Sequence, residues 1–245
     1  EDTINGKKVT VGEKYKLVIT GLQQQTADGK YRDYSGPISI SIPAGVATDK
    51  SGNSNVAKVI SIGVNEPGGS KSDEKIVDVV DPLWKAENIN IDHTNKVVTV
   101  DLIGTDKYLD GANSKLTTDN IKVYVDNEEV TTTKNVVKSL SPVEKLTETR
   151  DGQSVQYGVK YTLTLSDWEE TTKQTAKNKE FFEWSGTTKI TIAEGTLRDL
   201  PQQDLPDTVA KKYNTSKEQT IELGHVDFIK PKIEKVSSTK NASTK

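Results

Sequence analysis

A chain of 245 residues has room for one large domain or two ordinary ones, and with 32% hydrophobic and 6% aromatic residues its apolar interior must be thin. The 33 basic and 36 acidic residues leave a formal net charge of -3, so there is no basic footprint for nucleic acid and no cationic helix for a membrane surface. With no cysteine and no methionine, a disulfide framework, a thiolate nucleophile and a zinc knuckle are excluded.

In chain order, the first predicted strand lies in VGEKYKLVITGLQQ, where Tyr15, Leu17 and Ile19 share one face. The second is ISISI, with Ile38, Ile40 and Ile42 facing inward and Ser39 and Ser41 facing water. PAGVATDKSGN then leaves the sheet, and Asp49 to Asn53 is turn chemistry. Glu66-Pro67-Gly68-Gly69-Ser70 reads as a flexible hinge, running into a charged linker and VDVVDP at Val77 to Pro82. Further strands are predicted over Lys96–Ile103 and over Ile121–Val130, the latter broken by a turn near Asp126-Asn127.

YGVKYTLTLSDWEE from Tyr157 alternates as the first strand did, with Tyr161, Leu163 and Leu165 on one face. Ile190 and Ile192 follow in WSGTTKITIAEGTLRD, and a closing strand starts at Thr220. Helical periodicity is weak throughout, although Glu169 to Phe182 has room for a short helix. Long insertions are expected at 131–152, 171–183 and 200–217.

These elements repeat. Gly12 and Tyr15 match Gly158 and Tyr161, while Ser35-Gly36, Ile40, Ile42, Gly45 and Asp49 match Ser185-Gly186, Ile190, Ile192, Gly195 and Asp199. VDVVDP matches VDFIKP at Val226 to Pro231, and PKIEKVSSTKNASTK from Pro231 has the length and polarity of PLWKAENINIDHTNK from Pro82. A unit of about 150 residues is implied. The expected layout is the second half of one unit at 1–66, a linker at 67–77, a complete unit at 78–230, and the start of a next unit at 231–245. The fold class is all-β, with tandem immunoglobulin-like sandwiches carrying long loops.

ISIPAGVATDKSGNSN, VDPLWKAENINID and GTDKYLDGANSKLTTDNIKVYVDNEEV resemble bacterial Ig-like domains repeated in Gram-positive surface adhesins and stalks. The resemblance implies a non-enzymatic, extracellular spacer on the cell surface or in the cell wall. Its expected partners are neighbouring repeats and host or cell-wall glycan or protein. A surface-layer or fibre subunit is one alternative, and a carbohydrate-binding module of a secreted enzyme is another. The second copy departs from the pattern, since Leu200-Pro201-Gln202-Gln203 stands where the first has its Gly-Asn turn.

No catalytic constellation is legible: His93 and His225 have no partner at a useful spacing, and no nucleophile elbow or phosphate loop occurs. Calcium at the domain junction is the main cofactor candidate, through the hard oxygens of Asp49, Asn53, Asp78 and Asp81. The resemblance also raises an internal Lys–Asn amide crosslink, for which the sequence singles out no trio. Trp168 and Trp184 are the candidate carbohydrate ligands, weighed against packing in the core. The half unit at the N-terminus needs cover for its edges, from further residues of the protein or by strand-sharing self-assembly.

Overall fold

Alternation of β-branched and polar residues commits this chain to sheets, and all its described regular elements are strands apart from one 3-10 turn at Thr118–Asn120. The structure is a computed structural model that describes residues 2–9, 12, 14–65, 75–130, 136–170, 182–183, 185–200 and 213–229. In the N-terminal part the strands are β1 (Asp2–Ile4), β2 (Lys7–Val9), β3 (Gln23–Gln25), β4 (Tyr31–Asp33), β5 (Ser35–Ile42), β6 (Lys58–Ile62), β7 (Val64–Asn65) and β8 (Lys75–Asp78). The rest are β9 (Leu83–Asp92), β10 (Val97–Thr105), β11 (Ile121–Val125), β12 (Glu128–Glu129), β13 (Val137–Leu140), β14 (Glu144–Arg150), β15 (Gln153–Ser166), β16 (Glu169–Glu170), β17 (Phe182–Glu183), β18 (Ser185–Ile192) and β19 (Gln219–Asp227).

The C-terminal part is built from two antiparallel sheets. One runs β13-β15-β10-β9 with β14 also on β15, and the other runs β12-β11-β18-β19. Inward residues of both share one core: Val98, Val100 and Leu102 of β10 and Leu163 of β15 pack with Ile121 of β11 and Ile190 of β18. Two layers around one interior is a β-sandwich arrangement. Asp126 and Asn127 both take positive φ, which makes the predicted tight turn between β11 and β12.

In the N-terminal part β5 is the centre. β6 pairs with Ile38–Ile42 and β8 with Ser35–Pro37, so the two strands divide the length of β5 between them. In the matching C-terminal stretch, β19 alone pairs with all of β18, Ser185 opposite Asp227 and Ile190 opposite Ile221. Thus β6 and β8 together correspond to β19. The chain leaves the ladder at Gly63 and returns at Ile76, with the β7–β8 pairing at the base of the excursion. Lys75–Asp78, expected at the end of the linker, is therefore sheet.

Three other expectations need correction or limits. YKLVIT is not a strand: Tyr15 is 84% exposed and Leu17 64%. Its counterpart in β15 lies between β10 and β13 or β14, and the N-terminal part offers no such neighbours among the described residues. A strand without ladder partners leaves its backbone groups to water. The stretch 131–152 is not a plain loop, because β13 and β14 occupy half of it and both pair with β15. The helix expected over Glu169–Phe182 is not formed at its ends, where β16 pairs with β17, and residues 66–74, 131–135, 171–181, 201–212 and 231–245 lie outside the described residues.

Candidate functional site

The sequence-proposed calcium set is divided between two places. Asp49 and Asn53 close a turn on each other: Asp49 Oδ1 accepts the Ser51 and Asn53 backbone N–H groups at 2.9 Å, and Asn53 Nδ2 donates to Asp49 Oδ2 at 2.9 Å. This turn lies beyond Ile42, at one end of β5, whereas Asp78 pairs with Ser35 at the other end. Eight extended residues span roughly 25 Å. Asp49 and Asn53 cannot meet Asp78, and Asp81 is held in an ion pair with Lys217 at 2.7 Å. The four do not form one site.

A similar Asp–Asn pairing lies in the C-terminal part, between Asp199 and Asn214. Asn214 donates its backbone N–H to Asp199 Oδ1 at 2.6 Å and its Nδ2 to Asp199 Oδ2 at 2.6 Å. Asp199 N–H donates to the Asn214 carbonyl at 3.1 Å, as Asp49 N–H does to Asn53 at 2.9 Å. The flanking bridges Thr48–Ser54 and Arg198–Thr215 match as well. An Asp–Asn pairing is thus present beside β18 too, with Asn214, fifteen residues after Asp199, in the place of Asn53.

Asn214 also donates Nδ2 to the Asp78 main-chain carbonyl at 2.9 Å, tying the strand that leaves the N-terminal part to the Asp199 turn. Around this tie are three buried carboxylates, Asp78, Asp106 and Asp199, with 3%, 8% and 0% exposure. Asp106 follows β10 and accepts the Tyr108 N–H at 2.7 Å. Burial pushes Asp199 up to about 8 despite its bonds to Asn214, and the charges of Asp78 and Asp106 add to the rise. Burial likewise pushes Asp106 up to about 6, with Asp78 and Asp81 raising it further and Arg150 opposing. Asp78 is raised by burial, with Ser35 and Lys107 working against the shift.

Several polar atoms here go unmet. Arg150 Nη1 is buried without a hydrogen-bond partner, and Ser35 Oγ and Asp78 Oδ2 make none of full geometry, although Ser35 lies near enough to hold Asp78 down. Arg150 is otherwise occupied by Glu148, to which its Nε donates at 2.6 Å. As the side chains stand, no three acidic or histidine groups among the described residues close into a metal-ligand set.

The carbohydrate candidates fare differently. Trp168 is completely buried, its indole N–H donating to the Leu165 carbonyl at 3.2 Å and its ring set 5.5 Å from Phe228. A sugar needs an exposed ring face, and Trp168 has none, so it is a core residue. Trp184 lies outside the described residues.

The best match to a crosslinking trio is Lys160, Asp101 and Asn88 on three adjacent strands. Asp101 Oδ2 accepts from Lys160 Nζ at 3.0 Å and from Asn88 Nδ2 at 2.8 Å. Amide formation needs a neutral amine and a protonated acid. Here Asn88, Thr162 and Lys160 hold Asp101 down to about 2, and Asp101 raises Lys160. The ionisation states are the reverse of those required.

Comparison with family models, with curated proteins and with solved structures finds no match. No helix among the described residues is long and apolar enough to cross a membrane.

Proposed function

We propose that this chain is a non-enzymatic part of a tandem array of immunoglobulin-like β-sandwiches, serving as a spacer or stalk outside a Gram-positive cell. One observation carries the reading: an Asp–Asn pairing occurs twice with three matching bonds, and Asn214 of the second pairing grips the strand that leaves the first copy. Strand β8 then runs through four residues into β9, so neighbouring copies are joined by covalent continuity and by a hydrogen-bonded clasp. Such a joint resists bending and transmits load along the chain. Recognition of a glycan or protein falls to loops or to other domains.

Pulling the chain by its ends tests this. A spacer of this kind gives a discrete unfolding event that releases about 500 Å of contour, from roughly 150 residues at about 3.4 Å each. Gradual extension without such an event, or hydrolytic turnover of cell-wall glycan by the purified chain, would remove the proposal.

A further inference from the structure

We infer that two copies of this chain pair through residues Tyr15 to Thr20, the two segments running antiparallel about a two-fold axis at Leu17. In a single copy this segment belongs to no ladder, although it alternates as β15 does. Leu17 and Val18 are each 64% exposed and Ile19 is 41% exposed. No backbone hydrogen bond among the described residues engages Lys16 to Gly21, so their N–H and C=O groups are open to a second strand. Leu17 and Ile19 also line the apolar groove with Ile40, Ile60 and Ile62, and a strand laid beside them roofs the same groove.

The C-terminal sandwich shows what neighbour such a segment takes. There Tyr161, Leu163 and Leu165 of β15 stand opposite Leu102, Val100 and Val98 of β10. Their counterparts by sequence are Tyr15, Leu17 and Ile19. A second copy offers the alternation of β10 through the same three residues. With Leu17 opposite the partner's Leu17, Tyr15 of each chain meets the partner's Ile19, and all three apolar places on that face are filled. On the other face Lys14 meets the partner's Thr20 and Lys16 meets the partner's Val18, so no lysine stands directly opposite a lysine. A slip of one residue would set Ile19 against the partner's Lys16, which fixes the register. Identical strands in antiparallel pairing are self-complementary about a two-fold axis, the commonest symmetry of paired chains.

The contact is small. Six residues a side fall well short of the roughly 20–30 that stable interfaces use, so the pairing is weak, grows with concentration, and dilution restores the open single chain. The inference goes beyond the tandem reading and fails separately from it. Pulling reports on one chain alone, whether or not copies pair, and gradual extension of that chain would leave the pairing untouched.

The test is sedimentation equilibrium of the full chain from micromolar to millimolar concentration, beside oxidative crosslinking. The average mass of the parent should rise towards twice that of one chain, while Leu17→Asp stays at one chain throughout. Because the sequence has no cysteine, Leu17→Cys should yield a disulfide-linked dimer: Cα atoms directly opposite in an antiparallel pair are about 4.5–5.5 Å apart, within disulfide reach. Thr20→Cys should stay single, since its two copies stand six places apart along the ladder, about 20 Å. Both positions are exposed in the single chain, so the substitutions spare its interior. A parent of one-chain mass at every concentration overturns the inference. So does association that survives Leu17→Asp, which places the contact elsewhere, or equal crosslinking of the two cysteine variants, which marks random collision.

Discussion

Two aspartates in similar Asp–Asn pairings show how environment sets charge. Asp49 and Asp199 make matching bonds to Asn53 and Asn214, yet Asp49 is lowered and Asp199 is raised to about 8. The difference is burial and the company of Asp78 and Asp106. A group whose folded pKa lies above its unfolded value of about 3.9 contributes fully only below that value, and its contribution fades as pH rises towards the folded pKa. The junction is therefore most stable near pH 4 and loses stability between about pH 4 and 8 in cation-free buffer. Asp199→Asn, which cannot ionise, should flatten that limb of a Tm against pH curve. An equally steep curve in the variant would show that Asp199 is not its source. Asp101 works in the opposite sense: with its pKa lowered to about 2, its contribution is present above about pH 4 and disappears as pH falls through 2. The pairing of ionised Asp101 with protonated Lys160 also predicts an intact mass equal to the sequence mass. A deficit of one ammonia, mapped to a peptide joining Lys160 to Asn88, would overturn that pairing.

Individual elements were readable where a face alternates and unreadable where a partner decides. The Ile residues of ISISI and the alternation of Lys96–Ile103 gave away β5 and β10, because one face is apolar and the other is not. YKLVIT has the same alternation and is not a strand, since no sequence window contains the neighbours that β15 enjoys. β13 and β14 escaped notice because they are mostly polar and depend on the edge of β15 for their pairing. Asn214 and Asp106 were missed for a related reason. The first is fifteen residues removed from Asp199 along the chain, and the second is a lone acid in GTDKY whose burial only the fold reveals. Gly63 offers a test at this scale. It has φ 112, as does Gly224 at the matching place in β19. A Cβ on Gly63 would stand 1.7 Å from the Ile76 carbonyl oxygen, where one on Gly224 meets only Ile91 Cδ1 at 3.5 Å. Both alanine variants pay for the backbone angle, about 1–3 kcal/mol. Gly63→Ala must in addition break the return of β8 onto β5. Its amides in β8 should therefore lose hydrogen-exchange protection, while Gly224→Ala keeps those amides protected.

Across the whole molecule, apolar burial is lopsided. The large buried side chains cluster in the C-terminal sandwich, where Leu163, Ile190 and Ile192 have no exposed surface at all. Their N-terminal counterparts Leu17, Ile40 and Ile42 are exposed or half-buried. Leu17, Ile19, Ile40, Ile60 and Ile62 line an open groove of about 750 Å³, walled on its far side by Tyr213 to Lys217. In the sandwich the matching space is filled by β10 and β11, with Val98, Val100 and Val123 among the filling residues. Burying a Val, Leu or Ile side chain is worth about 1.5–3 kcal/mol, so a layer that leaves several uncovered has little to oppose the entropy of opening. The N-terminal sheet should consequently open by itself, well below the melting of the sandwich. Hydrogen exchange followed by mass spectrometry should show the amides of β5 and β6 exchanging orders of magnitude faster than those of β10, β15 and β18. Ile60→Lys, placed on the groove wall, should reduce binding of a hydrophobic dye without lowering the main melting transition. Equal protection in β5 and β18 would mean that the open face is covered in solution. Cover of that kind must come from another polypeptide segment with the alternation of β10, which crosslinking of the freely dissolved chain would then locate.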